Sequence, residues 1–262
     1  MPITRNKLHI LQQVHRVAPV HVLEQLYRIL EQKYSDLTLW GDIGIDDALH
    51  LYLYYLSTGE SYIKLQAHFG HPKSNMRSLF GSLRRALNDW TEDMLQDKRS
   101  FDERQIMLSV EHPEYFQEYP EHTLIIDGTH IPICRSGLSP DFDQKHFSYK
   151  IRRPAMNYQV IISHDTRVVW VSAGKPGTVN DISSMRFFSQ SILANAIKDE
   201  REVVLADAGY QGSSRYGLNF HTPHKRRPKR QLPVHKDVEN RVHSLIRRKI
   251  ENFFGAIKNK FR

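Results

Sequence analysis

The feature that most constrains this chain is a pair of short apolar runs, each ending in an aspartate and a small residue. Thr123-Leu124-Ile125-Ile126 leads into Asp127-Gly128, and Val203-Val204-Leu205-Ala206 leads into Asp207-Ala208-Gly209-Tyr210. Runs this short and apolar read as buried strands. In an open α/β sheet the ligand crevice lies outside the carboxyl ends of the strands, so both aspartates fall where chemistry is usually done. Either one alone reads equally well as a turn residue, since Asp-Gly is a common turn signal. It is the pair that carries weight.

Around them the pattern is mixed. Tyr158–Ile162 and Arg167–Val171 read as two more strands, with His164-Asp165-Thr166 short enough for a hairpin between them. Asn180-Asp181 reads as the cap of a helix carrying Ile182, Met185, Phe188 and Ile192, and residues 236–260 read as a long final helix. Strands and helices in this order predict a mixed α/β domain over residues 120–262. Residues 1–100 read as helical instead. Val20, Leu23, Leu26 and Leu30 are spaced as one helix face, as are Ile45, Leu49, Leu53 and Leu56. Ser57-Thr58-Gly59-Glu60 breaks the chain and can cap the next helix. A short helix over 61–69, a Gly70-His71-Pro72 turn and a helix from about Ser74 make a helix-turn-helix candidate over 61–87. Lys73, Asn75, Arg77 and Ser78 would open its second helix, where bases or phosphates are met; an ordinary helical bundle has the same pattern.

Charge narrows the partner. The net charge is +8, yet residues 224–262 alone hold 13 Lys and Arg against 3 Asp and Glu, so the rest of the chain is slightly acidic. The densest stretch is His224-Lys225-Arg226-Arg227-Pro228-Lys229-Arg230. A polyanion suits it, because each neutralised phosphate releases condensed counterions. A solvated loop or an import signal fits the short run as well. One cysteine, Cys134, excludes an intrachain disulfide and a multi-cysteine zinc finger, and it reads as a buried or half-buried bystander. The fifteen histidines are expected at the surface or against phosphates. No apolar run reaches the ~18 residues of a membrane span, and the charged N-terminus does not read as a secretory signal.

Glu251 supplies a third acid. It stands in Arg247-Arg248-Lys249-Ile250-Glu251, and Arg247, Glu251 and Lys258 fall on one side of a helix. It reads either as a surface ion-pair partner or as the third carboxylate of a metal site flanked by phosphate-holding cations. Hard Mg²⁺ prefers oxygen ligands, and two such ions can activate an attacking oxygen and stabilise a leaving one.

At these residues the chain resembles the DDE transposases of the Harbinger/IS5-like group, DDE endonucleases with an RNase H-like catalytic core. The resemblance runs in order through LIIDGTHIPI (124–133), NYQVIISHDTRVVWVSAGKPGTVNDISSMRFF (157–188), VVLADAGYQG (203–212) and RRKIENFFGAIKNKF (247–261), and LSTGESYIKLQAHFG (56–70) is similar to the family's N-terminal helix-turn-helix region. It implies an RNase H-like mixed sheet flanked by helices, behind an N-terminal helical domain. It implies Asp127, Asp207 and Glu251 as catalytic residues that ligate two Mg²⁺ or Mn²⁺ ions. Arg247 and Lys258 match the Arg and Lys of the Y-R-E-K signature, with Ser244 in place of the Tyr. Asp181 matches a recurrent acidic position and is read here as a helix cap rather than a ligand. The implied activity is cleavage of phosphodiester bonds at transposon ends and joining of the 3′-hydroxyl to target DNA. DNA would be held by Arg247, Lys258, Lys73, Asn75, Arg77 and the run Lys225, Arg226, Arg227, Lys229 and Arg230. The resemblance further implies duplex DNA as partner, a homo-oligomer on DNA, a Myb-like accessory protein and a nucleus, with a bacterial cytoplasm or nucleoid as the alternative. Family members usually continue beyond the last helix, so a chain ending at Arg262 reads as a truncated, decayed or domesticated copy, and its intact acids favour a catalytically equipped core. The rival readings are a domesticated copy that binds without cutting, and an RNase H-like nuclease with another substrate.

Overall fold

The computed structural model describes residues 14, 18–33, 43–95, 97–135, 139–225 and 231–261, the side chains of 89–95 excepted. The chain divides into two compact units, Met1–Met94 with Gly255–Arg262, and Leu95–Phe254.

The first unit is helical: α1 Val20–Lys33, α2 Ile45–Thr58, α3 Tyr62–Phe69 and α4 Lys73–Leu95. The apolar residues that mark each helix face close on one core, with Leu30, Leu49, Leu65, Leu79 and Leu83 fully buried. Gly59 and Gly70 end α2 and α3 at φ 64° and 71°, a left-handed conformation that glycine adopts without a steric penalty. The cap of α3 is Ser61, whose hydroxyl accepts from the Lys64 amide, rather than the preceding Ser57–Glu60 stretch.

The second unit opens with α5 Phe101–Glu111 and α6 Pro113–Glu118 and then builds the sheet: β1 Leu124–Pro132, α7 Pro140–His146, β2 Phe147–Ser148, β3 Arg153–Ser163, β4 Val168–Val171, β5 Lys175–Pro176, α8 Asp181–Asn195, β6 Val204–Leu205, β7 Phe220–His221 and α9 Val234–Lys260. The strands run in the order β2-β3-β1-β6-β7, with β4 and β5 also paired to β3. β3 is antiparallel to β1, whereas β6 and β7 continue the sheet in parallel with it. The predicted mixed α/β character is present, with helices on both faces of a mixed sheet.

Side chains alternate across that sheet as strand geometry requires. Leu124, Ile126, Ile161 and Val204 bury one face against Met185, Phe188 and Ile192 of α8. Ile125, Val160, Ile162 and Leu205 bury the other against Ile246, Ile250 and Phe254 of α9, with Leu108 and Tyr115 from α5 and α6. Trp170 lies in the core as expected, its indole N–H donating to Ser191 Oγ at 3.1 Å, while Tyr158 is only half-buried. Among the described residues no helix is long and apolar enough to cross a membrane.

Three expectations are corrected. β1 does not end at Asp127-Gly128. It runs on to Pro132, because antiparallel pairing with β3 continues unbroken to Pro132↔Ala155 and overrides the local turn signal. Cys134 is exposed, since it lies just past that strand on a segment leaving the sheet. Several histidines are deeply buried rather than superficial. His122, His164 and His243 are at most 4% exposed, and they are accommodated neutral by ring and carbonyl contacts.

Candidate active site at the carboxyl ends of the central strands

β1 and β6 are neighbours in register, Leu124 beside Val204 and Ile125 beside Leu205. Two steps further along the same register lie Asp127 and Asp207. The apolar run before each is what makes the strand, and the strand is what aims the acid. Asp207 leaves the sheet at once. Its backbone is extended and its carboxylate caps a short 3₁₀ turn by accepting from the Gly209 amide at 2.7 Å. Asp127 stays within the ladder, opposite Val160 on β3.

Asp127 is the buried member of the pair, 8% exposed. Its Oδ1 accepts from the Gly128 amide at 2.8 Å, and Arg247 Nη2 of α9 approaches its Oδ2 at 3.6 Å. Burial pushes this carboxyl up to about 6. Arg247, the Gly128 amide and Lys150 pull it back down, and the charge of Asp207 raises it further. Two polar atoms beside it lack partners. Thr129, two residues on and therefore on the same face of β1, has a buried hydroxyl with no hydrogen bond, and so has Arg247 Nε.

A second polar layer backs the strands from the α8 side. Gln159, fully buried, donates to Asp181 Oδ1 at 2.9 Å and to Asn157 Oδ1 at 3.2 Å, and accepts from the Tyr210 hydroxyl. Tyr210 is fully buried, and burial and the charges of Asp181, Asp127 and Asp207 raise its pKa well above the ordinary tyrosine value. The reading of Asp181 as a cap is therefore corrected. Asn180 caps α8 by accepting from the Ser183 amide, and that leaves the Asp181 carboxylate to Gln159. Gly128 permits this layer, because a Cβ there would stand 2.4 Å from Asp181 Oδ1 and 2.9 Å from Gln159 Nε2. Gln159 and Asn157 carry a signal in the sequence, as polar residues at alternate positions of a strand, between Ala155 and Ile161 on the same face.

The other proposed residues are distributed. Glu251 is exposed, one turn beyond Arg247 on α9, and among the described residues no three His, Cys, Asp or Glu side chains are gathered closely enough to hold a metal ion. Arg247 does reach Asp127. Lys258 lies further along α9, on the stretch that belongs to the first unit. Lys73 and Arg77 are exposed and Asn75 half-buried in the first turns of α4, Asn75 Oδ1 accepting from Ser74 Oγ at 3.2 Å. Lys225 is exposed, while Arg226, Arg227, Lys229 and Arg230 lie outside the described residues.

Residues 126–262 match the family described as DDE superfamily endonuclease. The chain belongs to this family. Within the DDE endonuclease family it is similar to a protein of Streptomyces albus G described as "Putative transposase for insertion sequence element IS112", with 30% identity over 155 residues. That alignment covers 58% of this chain and 53% of the relative, so the chain spans about half the relative's length. No solved structure matches. The matched family region begins one residue before Asp127 and takes in Asp207, Arg247 and Glu251, so the site described above is the DDE endonuclease portion of the chain.

Proposed function

We propose that this protein is a metal-dependent DNA endonuclease of the transposase type, acting on phosphodiester bonds beside Asp127 and Asp207, just past the paired segment of β1 and β6. One observation carries the reading: two carboxylates that follow adjacent parallel strand segments lie beside each other, the inner one buried with a guanidinium 3.6 Å away, in a region that belongs to a DDE endonuclease family. An RNase H-like core is supported by the mixed sheet with helices on both faces. The helix-turn-helix reading of α3 and α4 is supported by the exposed Lys73 and Arg77 at the start of α4.

The pair fits a divalent cation. A buried carboxylate with a raised pKa, a like charge beside it, and the unpartnered Thr129 hydroxyl form an oxygen-rich place short of positive charge. Mg²⁺ needs only one or two protein carboxylates, with water and substrate phosphate completing its shell. Asp127 and Asp207 would hold it, and Glu251 on α9 is the third carboxylate this reading assigns. When bound, the ion supplies Lewis-acid stabilisation of the attacking and leaving oxygens.

The chain's own residues do the rest. β1 holds Asp127 in a hydrogen-bonded ladder, and the Gly209 amide holds Asp207. Arg247, close to Asp127 with an unpartnered Nε, would donate to a phosphate oxygen of the substrate strand. Lys258 and the basic run that includes Lys225 contribute affinity through the DNA backbone, with steep salt dependence. Joining of the freed 3′-hydroxyl to a target belongs to the same reading, as does a bacterial cytoplasm, which the Streptomyces relative favours over a nucleus.

Purified full-length chain should nick duplex DNA in Mg²⁺ or Mn²⁺, and Asp127→Asn should abolish nicking while leaving DNA binding intact. Undiminished nicking by that variant sinks the assignment. A second reading, a DNA-binding member that no longer cuts, is favoured by one feature: Glu251 is exposed and not gathered with the aspartates. Metal-independent binding without nicking by the wild-type chain would select it.

A further inference from the structure

Beyond Asp127 the chain follows β1 to its end, turns through α7 and returns as the β2–β3 hairpin. A cleft of about 300 Å³ opens there, lined by Arg135, Asp143, Gln144, Phe147, Tyr149 and Pro154. Tyr149 sits on the hairpin turn and is 83% exposed, the most exposed large side chain with apolar character among the described residues. Its ring meets Phe147 at 83°, centroids 5.3 Å apart, so most of its surface remains open to a third ring. On one side of the cleft Arg135 offers a planar guanidinium, and Gln144 offers both a donor and an acceptor.

Two further observations point to the occupant. Residues 135–153 carry five cations, Arg135, Lys145, Lys150, Arg152 and Arg153, against two acids, Asp141 and Asp143. All five cations are exposed. Lys150, next to Tyr149, is also close enough to Asp127 for its charge to act on that carboxyl. The cleft lies at the far end of the β1–β3 ladder that carries Asp127, next to the Pro132↔Ala155 pair, and presents positive charge around an aromatic surface. Its frame is built in advance. Thr178 Oγ1 donates to the Lys145 carbonyl at 2.8 Å, and Gly177 packs so closely that a Cβ would stand 2.5 Å from the His146 carbonyl oxygen.

Cations around an exposed ring are how single-stranded nucleic acid is held, with phosphates on the charges and bases on the ring. A paired base is stacked on its neighbours and cannot enter such a cleft, whereas an unpaired or extruded one can. We propose that this cleft is a pocket for one unpaired nucleobase of a DNA strand, with Tyr149 as its stacking platform and the surrounding cations on the flanking phosphates. The proposal rests on the endonuclease reading for its location, since that reading puts the cut strand at Asp127.

The test uses the full chain without divalent metal. Two duplexes are compared, one fully paired and one carrying a single unpaired 2-aminopurine, by fluorescence anisotropy and by the 2-aminopurine emission itself. The wild-type chain is expected to prefer the unpaired duplex by about tenfold, the scale of one base on one ring, and to quench its emission. Tyr149→Ala should lose both the preference and the quench, and Tyr149→Phe should keep both. Retention of both by Tyr149→Ala overturns the pocket, and so does equal loss by the two variants. A wild-type chain that shows the preference yet never nicks DNA in Mg²⁺ or Mn²⁺ keeps the pocket and removes the endonuclease reading. Nicking with no base preference does the reverse.

Discussion

Buried charge lies on both sides of the paired segment of β1 and β6, and the two sides are finished differently. At the amino ends Glu202 and Arg104 lie wholly inside, with Arg104 Nη1 donating to both Glu202 oxygens at 2.8 and 2.9 Å. Thr123 Oγ1 donates to Glu202 at 2.6 Å and the Lys198 amide at 2.9 Å, while Arg104 also reaches the Ala196 carbonyl and Asp97. At the carboxyl ends Asp127 has one backbone amide and a guanidinium 3.6 Å away, with another acid alongside. The fold is therefore able to satisfy a buried carboxylate, and at the Asp127 end it leaves one short of partners. A charge left short in this way costs stability and suits a site that awaits a cation.

The largest expected effect separates the two ends by function. Asp127→Asn should lower metal-dependent nicking on the order of a thousandfold or more, the scale of losing a metal ligand's several kcal/mol of transition-state stabilisation. Urea denaturation of the same variant should show no loss of stability, since it removes an ill-compensated buried charge. Arg104→Ala should do the opposite. It strands Glu202 in the interior and is expected to cost about 3–5 kcal/mol in urea denaturation.

Acid should also act through the buried histidines, whose effect the raised Asp127 carboxyl opposes but, as one group against three, does not cancel. Burial, the largest cause for each, holds His122 down to about 3 and His164 and His243 down to about 4. The unfolded chain, with histidines near 6.5, therefore takes up more protons than the folded one between pH 6.5 and 4. Stability is fully present above pH 6.5 and falls as pH drops through that window, by at most about 1.4 kcal/mol per pH unit for each histidine. Urea melts at pH 7 and pH 5 measure it, and equal midpoints would contradict the burial of these rings. Gly128→Ala should push Asp181 and Gln159 apart and cost roughly 1–3 kcal/mol. The smallest effect is that of Asn180→Ala, about 1 kcal/mol for a lost helix cap, with Asp181 still bound to Gln159. Thermal denaturation of the two variants ranks them.

Much of this was legible from residue patterns. The apolar runs before Asp127 and Asp207, the cap at Asn180 and the helix faces of the first unit follow from local periodicity and turn chemistry. Pairing between distant segments was not legible. The extension of β1 past Gly128 depends on a partner strand some twenty to thirty residues away in sequence, and Asp127-Gly128 reads alone as a turn. Asp181 looked like a cap because its neighbour is one, and only the sheet shows that its carboxylate meets Gln159. The buried histidines were misread because composition says nothing about which rings stack between β1, β7 and α9. Glu251 was identified from helix spacing and resemblance, and spacing alone does not tell how far from the core that side of α9 turns.

The overshoot of β1 has a mechanical consequence. With ladder bonds on both sides of it in sequence, the Asp127 backbone is a fixed post, while Asp207 lies outside the ladder, at the root of a short turn. Any adjustment of the gap between the two acids must come from the Asp207 side or from α9. Tuning of this centre, by evolution or by an engineer, should therefore accumulate in residues 208–217 and leave 124–132 alone.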